Sequence, residues 1–268
     1  MRIVVFLGFL LIGGGIGGLN TTQPNADMIS AFDRYAEQRE SQIRSELRDP
    51  NRFFWVDRLQ DAAKQKGYND ARAGRVVIDS GKRTDVPKGL IHHWTGMVFI
   101  PGVKLNETLK FVQDYNNHAG HYSPEVVASK LVSQNGNNYK IYMRFLKKKV
   151  MTVVLDTNHD VTYDYINSQY AASTGHTTRI AEVEQAGTSG EKVLPPGEGW
   201  GFLYKLDTYW RFAERDNGTY VQCETISLSR DVPFGLGVII GKFINSVPQE
   251  SLSFTLARTR DQVLKFKK

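Results

Sequence analysis

Arg211 and Glu224 are the residue types a ligand site would use, and both lie in what reads as a β-hairpin near the end of the chain. Residues 201–214 and 219–229 are rich in aromatic and β-branched side chains. Asn217-Gly218 between them is a strong hairpin signal, because a type I′ turn needs positive φ at both central positions. A two-residue Asn217-Gly218 loop places Arg211 opposite Glu224. A three-residue loop through Asp216 instead places Arg211 opposite Cys223 and Glu224 opposite Trp210. A half-buried arginine takes a carboxylate in bidentate geometry; facing a cavity, such a pair binds a polar head group. On a solvated face it is an ordinary cross-strand contact worth under about 1 kcal/mol. Period two sets Tyr204, Leu206, Trp210 and Phe212 on one face, and Lys205, Asp207, Tyr209 and Arg211 on the other.

Other side chains invite chemistry more weakly. Arg179 lies in a strand-like run with Glu182 on the opposite face, and the Arg211 argument applies to it. Tyr142, Tyr163, Tyr165 and Tyr209 offer hydroxyls to a pocket, although strand aromatics also serve simple sheet packing. His92 and His93 are adjacent, so on a strand they point to opposite faces and cannot chelate together. His118 and His121 with Asp114 make a corner that a divalent metal could use, but a structural zinc site needs about four ligands and no matching Cys/His set is present. No metal and no cofactor are expected. Neither Gly-x-Ser-x-Gly, a P-loop, a dinucleotide fingerprint nor His-Glu-x-x-His occurs. The lone Cys223 excludes an intramolecular disulfide and reads as a small buried thiol.

These residues must be positioned by elements. Residues 27–48 carry a sparse helical stripe of Met28, Ile29, Phe32, Tyr35, Ile43 and Leu47. Asp49-Pro50 reads as N-cap and first turn of a second helix over 50–66, with Gly67 as its stop. From Arg75 the period changes. Residues 75–79 and 90–100 read as strands about a turn-like stretch 81–89, and 105–117 as a helix that Asn106 caps. Strand candidates follow at 126–133, 139–146, 150–156, 161–167 and 177–184, with turns at Asn135-Gly136 and 156–158. After the terminal hairpin, residues 234–266 have helical spacing: Ile240, Ile244, Val247, Leu252, Leu256, Thr259 and Val263 share a face. Gly235, Gly237 and Gly241 at its start fit close approach to a strand or ligand, and Pro248 predicts a kink or restart near Val247. The order is α+β: an antiparallel meander with a long helix on one face.

The 268 residues suit one large domain or two small ones. The net charge of +6 is modest, and only residues 147–149 and 265–268 form tight basic runs, so no nucleic-acid partner is expected. Arg2, an apolar run 3–12, a glycine-rich stretch and then polar residues read as a secretory signal or an uncleaved N-terminal anchor over 1–24. The run is short for a membrane span. The expectation is an exported protein, with peripheral or anchored membrane contact and oligomeric state left open. Residues 25–74 then form a helical extension, and 75–268 a ligand-binding domain.

Phe99-Ile-Pro-Gly102 ahead of a short helix ending at Asp114-Tyr115, then Tyr122-Ser-Pro-Glu-Val-Val127, a run of strands and a long C-terminal helix resemble the START-like (SRPBCC) superfamily. Its members include lipid-transfer START domains, coenzyme Q-binding proteins and polyketide cyclases, and the likeness is greatest to exported bacterial members. It covers residues 76–266 and rests on element order and short strings, not on a catalytic signature. It implies the helix-grip fold, a curved antiparallel sheet wrapped around the C-terminal helix, with a deep, mostly apolar cavity between the two. The superfamily has no universal catalytic residue, so none is carried over. The expected function is binding of a hydrophobic small molecule, a lipid or isoprenoid, as carrier or transfer protein. Expected cavity residues are Tyr142, Tyr163, Tyr165, Arg179, Tyr209, Arg211, Glu224, Ile240 and Ile244. Rival readings are a cyclase/aromatase-like enzyme using cavity Tyr and Arg/Glu groups, and an envelope interaction protein with a filled core.

Overall fold

The computed structural model describes residues 23–149, 151–231 and 237–266, the last of these through the backbone alone over 237–243. Residues 1–22 of the expected leader (1–24), Val150, Gly235 and the Ile240 side chain lie outside the described residues.

The chain opens with α1 (Ala26–Glu46), started by Asn25, whose side chain accepts a hydrogen bond from the Met28 N–H. Its buried positions are Met28, Phe32, Ala36, Arg39, Ile43 and Glu46, a full i, i+3/i+4 stripe. Reading the apolar residues alone made this stripe look sparse, because two of its members are charged. The second helix differs from expectation. Pro50–Arg52 and Trp55–Arg58 are single tight turns, and α2 begins later and runs from Asp61–Arg72. Gly67 does not stop it. It lies inside α2, where an added Cβ would sit 3.0 Å from Val56 Cγ1; the glycine allows close packing and not termination.

The sheet contains β1 (Val77–Ile78), β2 (Lys82–Val86), β3 (Gly89–Pro101), β4 (Val126–Asn135), β5 (Asn138–Lys148), β6 (Thr152–Tyr165), β7 (Tyr170–Glu184), β8 (Lys192–Val193), β9 (Lys205–Arg215) and β10 (Gly218–Arg230). Its order is β1-β3-β10-β9-β7-β6-β5-β4, with β2 also on β3 and β8 on β7, and every pairing is antiparallel. The turn-like stretch before β3 is therefore the strand β2. The two strands expected at 150–156 and 161–167 are one, β6: residues 156–158 make no turn, because β5 and β7 hold them on both sides through a bulge at Asn158/His159. Between β3 and β4 lie α3 (Leu105–Val112) and α4 (His118–His121). Lys104, not Asn106, is the α3 N-cap; the Glu107 carboxylate accepts its backbone N–H.

The last element, α5 (Gly237–Phe266), is continuous through Pro248. Ile244, Leu252, Leu256, Thr259 and Val263 are its buried face. It packs on the inner side of the sheet, with Leu252, Leu256 and Val263 in one core with Val98, Ile100, Phe212 and Val221. An antiparallel sheet packed against a long C-terminal helix is the helix-grip architecture expected. The outer side of the same central strands is also covered. Met28, Phe32, Ala36 and Ile43 of α1 pack on Ile91, Tyr209, Ile226 and Leu228. Phe53, Phe54, Trp55, Val56, Tyr68 and Ala71 pack on Met97, Phe99, Ala213 and Tyr220. Covering both faces leaves β3 and β10 buried almost throughout instead of at alternate positions.

Candidate ligand cavity

The hairpin register decides where Arg211 and Glu224 go. The turn residues are Asp216 and Asn217, both with positive φ (56° and 53°), and Arg215 pairs with Gly218. Arg211 therefore stands opposite Gln222, and Glu224 opposite Tyr209. Both expected registers lie C-terminal of the observed one, because Asp216-Asn217 and not Asn217-Gly218 occupies the two central turn positions. Arg211 and Glu224 still share a face as diagonal neighbours, 3.8 Å apart, but it is the outer face, and they line no cavity.

There they join a buried ion network beneath α1. Arg39 Nε and Nη2 donate to the two Glu224 oxygens at 2.5 and 3.0 Å, and Arg39 Nη1 and Nη2 donate to Glu46 at 2.9 and 2.8 Å. Arg211 donates to Glu46 Oε2 at 2.6 Å and to the Phe53 carbonyl at 2.5 Å. Arg58 also pairs with Glu46. His93 Nε2 meets Glu224 at 2.7 Å, and its Nδ1 meets the Tyr35 hydroxyl at 2.9 Å. Burial pushes the Glu224 carboxyl up, but hydrogen bonds from His93 and Arg39 outweigh it and hold it well below the usual carboxylate range. Burial pushes Arg211 down to about 10. The helical extension thus supplies the counter-ions for the outer face of the hairpin. Tyr209 lies on this face too and donates to Glu40 at 3.0 Å.

The inner face is different. Between the sheet, α3, α4 and α5 lies a cavity of about 310 Å³. Its apolar wall comes from Ile141, Met143 and Phe145 of β5, Val153, Leu155 and Val161 of β6, Phe202 and Leu203 before β9, and Ile244, Val247 and Leu252 of α5. The Phe202 and Leu203 segment is positioned by Glu182, whose carboxylate accepts the N–H groups of Trp200 at 2.8 Å and Phe202 at 3.0 Å. Of the expected residues, Tyr163 and Ile244 line the cavity. Tyr163 hydrogen-bonds Tyr115 through their hydroxyls at 2.8 Å. Tyr142 and Arg144 bind Asp156 on the other side of β5, where period two sends even-numbered positions. Tyr165 is exposed and accepts from Gln113. Arg179, opposite Asn158 on β7, is not on the wall.

Beyond Tyr163, His92 and His118, the cavity's polar groups include serines and threonines that carry no sequence motif. His92 faces in, and His93 faces the outer network, as adjacent strand residues must. Ser173, Thr208, Thr225, Ser227 and Ser229 also face in. The spacing of Thr225, Ser227 and Ser229 at period two was the available signal. Burial pushes His92, His118 and His159 down to about 4, and it raises the Tyr115, Tyr122, Tyr163 and Cys223 groups. Tyr122 hydrogen-bonds Thr259 of α5 at 3.0 Å. The expected His118, His121 and Asp114 corner is satisfied internally: His118 Nε2 meets the Val112 carbonyl at 3.1 Å and His121 Nε2 meets Asp114 at 3.0 Å.

No family model matches the chain, and no curated protein matches it. Among solved structures it is similar to the TTHA0849 protein of Thermus thermophilus, at 14% identity and TM-score 0.48, over 66% of this chain and 99% of that one. It is also similar to a STAR-related lipid transfer protein fragment from Xanthomonas axonopodis (16% identity, TM-score 0.44, 69% and 99% covered). A third is the Zhui aromatase/cyclase of Streptomyces sp. R1128 (9% identity, TM-score 0.46, 66% and 96% covered). Likeness at this level carries no argument about what the chain binds.

Proposed function

We propose that the chain binds a hydrophobic small molecule of the lipid or isoprenoid class in the inner cavity and acts as a carrier or transfer protein. The observation that carries this reading is the cavity: about 310 Å³ left open inside an otherwise close-packed core, in the range of roughly 300–1,000 Å³ typical of small-molecule sites. A ligand burying about 300 Å² of apolar surface there would gain roughly 7 kcal/mol before the cost of association. The wall's titratable groups support binding over proton transfer. Its histidines are pushed down to about 4 and its tyrosines and cysteine upward, whereas an acid–base catalyst works best with a pKa near the operating pH.

Export belongs to the same proposal and rests on the basic, apolar and small-residue order of residues 1–24. Among the described residues no helix is long and apolar enough to cross a membrane. Cell fractionation with N-terminal sequencing checks it: a processed chain outside the cytoplasm is expected, and a full-length cytoplasmic chain overturns export.

Titration of the full chain with diphenylhexatriene, a hydrocarbon dark in water and fluorescent in apolar surroundings, tests the cavity reading. Saturable one-to-one binding is the expected result. No fluorescence gain up to the probe's solubility limit overturns it.

A further inference from the structure

The cavity is apolar on one side only. Across the sheet floor, Thr208 of β9 stands opposite Thr225 of β10, Ser227 of β10 opposite His92 of β3, and Ser173 of β7 opposite Trp210 of β9. All but Trp210 bring a polar side chain to the cavity, and they come from four adjacent strands. The hydroxyls of Ser173, Thr208, Thr225 and Ser227 make no hydrogen bond among the described residues. Ser and Thr hydroxyls in strands ordinarily find a backbone or side-chain partner; here four neighbouring ones are left to whatever fills the space.

The floor is also shaped for an occupant. Gly175, two residues along β7 from Ser173, stands opposite Thr208. A Cβ on Gly175 would lie 2.7 Å from Thr208 Oγ1, so any other residue would crowd that hydroxyl. Ser229 extends the patch, with its hydroxyl 3.4 Å from His92 Nε2.

The floor is uncharged. His92 is 3% exposed and neutral at neutral pH. Glu125 and Lys147, the ionised pair among the described lining residues, neutralise each other at 2.5 Å. Arg83, across the ladder from His92, is exposed and engaged by Asp85 and Asn245. An anionic head group laid on this floor would be desolvated with no cation to meet it, whereas hydroxyls donate to and accept from a neutral oxygen equally well.

We infer that the inner faces of β3, β7, β9 and β10 form a hydrogen-bonding floor for an uncharged hydroxyl or carbonyl group, so that the cavity takes neutral amphiphiles and rejects fatty acids. The ligand class is that of long-chain alcohols, sterols and acylglycerols. The inference rests on the cavity reading and specifies which end of the ligand lies against the sheet. A ligand oxygen on the floor supplies these hydroxyls with the hydrogen bonds that solvent would otherwise make.

The test is displacement of bound diphenylhexatriene from the full chain by 1-dodecanol and by dodecanoate at pH 7.5. Dodecanol is expected to displace at a concentration at least about tenfold lower. In the double variant Thr208→Val/Thr225→Val, which keeps side-chain shape, dodecanol should weaken about tenfold, and by more than diphenylhexatriene, which has no group to hydrogen-bond. Gly175→Ala is the second variant and should show the same selective loss. Equal displacement by the two amphiphiles, or unchanged dodecanol affinity in both variants, overturns the inference while the cavity reading stands. Absence of diphenylhexatriene binding overturns both.

Discussion

Strands β9 and β10 present two polar surfaces, and the chain treats them in opposite ways. On the outer face Arg211 and Glu224 are 1% exposed, and helix α1 carries Arg39 and Glu46 to meet them. Among the described side chains of that strand face, the buried Arg211 Nε and Gln222 Nε2 lack partners. On the inner face, across the backbone of the same strands, Thr208, Thr225 and Ser227 have no partner among the described residues and border an open volume. Charge is therefore a poor guide to the binding face. Buried charges must be paired inside the protein, because leaving one unpaired costs several kcal/mol. A neutral hydroxyl costs far less to leave open and can wait for a ligand.

The comparison predicts that changes on the outer face act on stability and changes on the inner face act on binding. Glu224→Ala removes one of the two buried carboxylates that Arg39 and Arg211 share, leaving Glu46 as the other, and should cost about 3–5 kcal/mol in urea unfolding. The folded fraction should bind diphenylhexatriene with unchanged affinity. Weaker binding per folded molecule would place Glu224 in the site after all.

Acid should destabilise the protein through its inner face. His92, His118 and His159 are held near 4 by burial, below the unfolded value of about 6.5, so the unfolded chain binds more protons between these limits and stability falls as pH drops through that range. His176 is raised by Asp207, so its contribution is complete below about 6.5 and constant there. The Glu224 carboxylate, held low, stays charged throughout. Unfolding free energy measured from pH 6.5 to 4.5 should decline steadily by a few kcal/mol. A flat profile would mean that these histidines are not buried neutral.

Leu155→Trp puts an indole ring into the cavity. It should weaken diphenylhexatriene at least about tenfold, or 1.4 kcal/mol, while the outer network is untouched. Undiminished binding would locate the probe elsewhere. At the small end, Lys140→Ala breaks an exposed pair with Asp160 on β5 and β6 and should change stability by less than about 0.5 kcal/mol and binding not at all.

The element order and the two faces of β9 were legible in the sequence, because period two and the stripe of Ile244, Leu252, Leu256 and Val263 reflect burial directly. Which face held the cavity was not. That depends on α1, and its stripe was hidden because Arg39 and Glu46 occupy two of its positions. A charged residue at stripe spacing, matched by an opposite charge in a distant strand, is the signal that would have revealed the covered face. Continuity of β6 was hidden for another reason. Asp156, Thr157 and Asn158 are turn-forming types by local propensity, and pairing with β5 and β7 overrides it. The serines and threonines of the floor are not legible, because such residues on a strand carry no signature until their partners are known.

Native mass spectrometry of the full chain purified from cells, with extraction and identification of whatever it carries, tests the central claim most directly. The account predicts a near-stoichiometric adduct that is a neutral lipid or isoprenoid and is absent from Leu155→Trp. A bare protein mass, in a preparation that also fails to bind diphenylhexatriene, would contradict it.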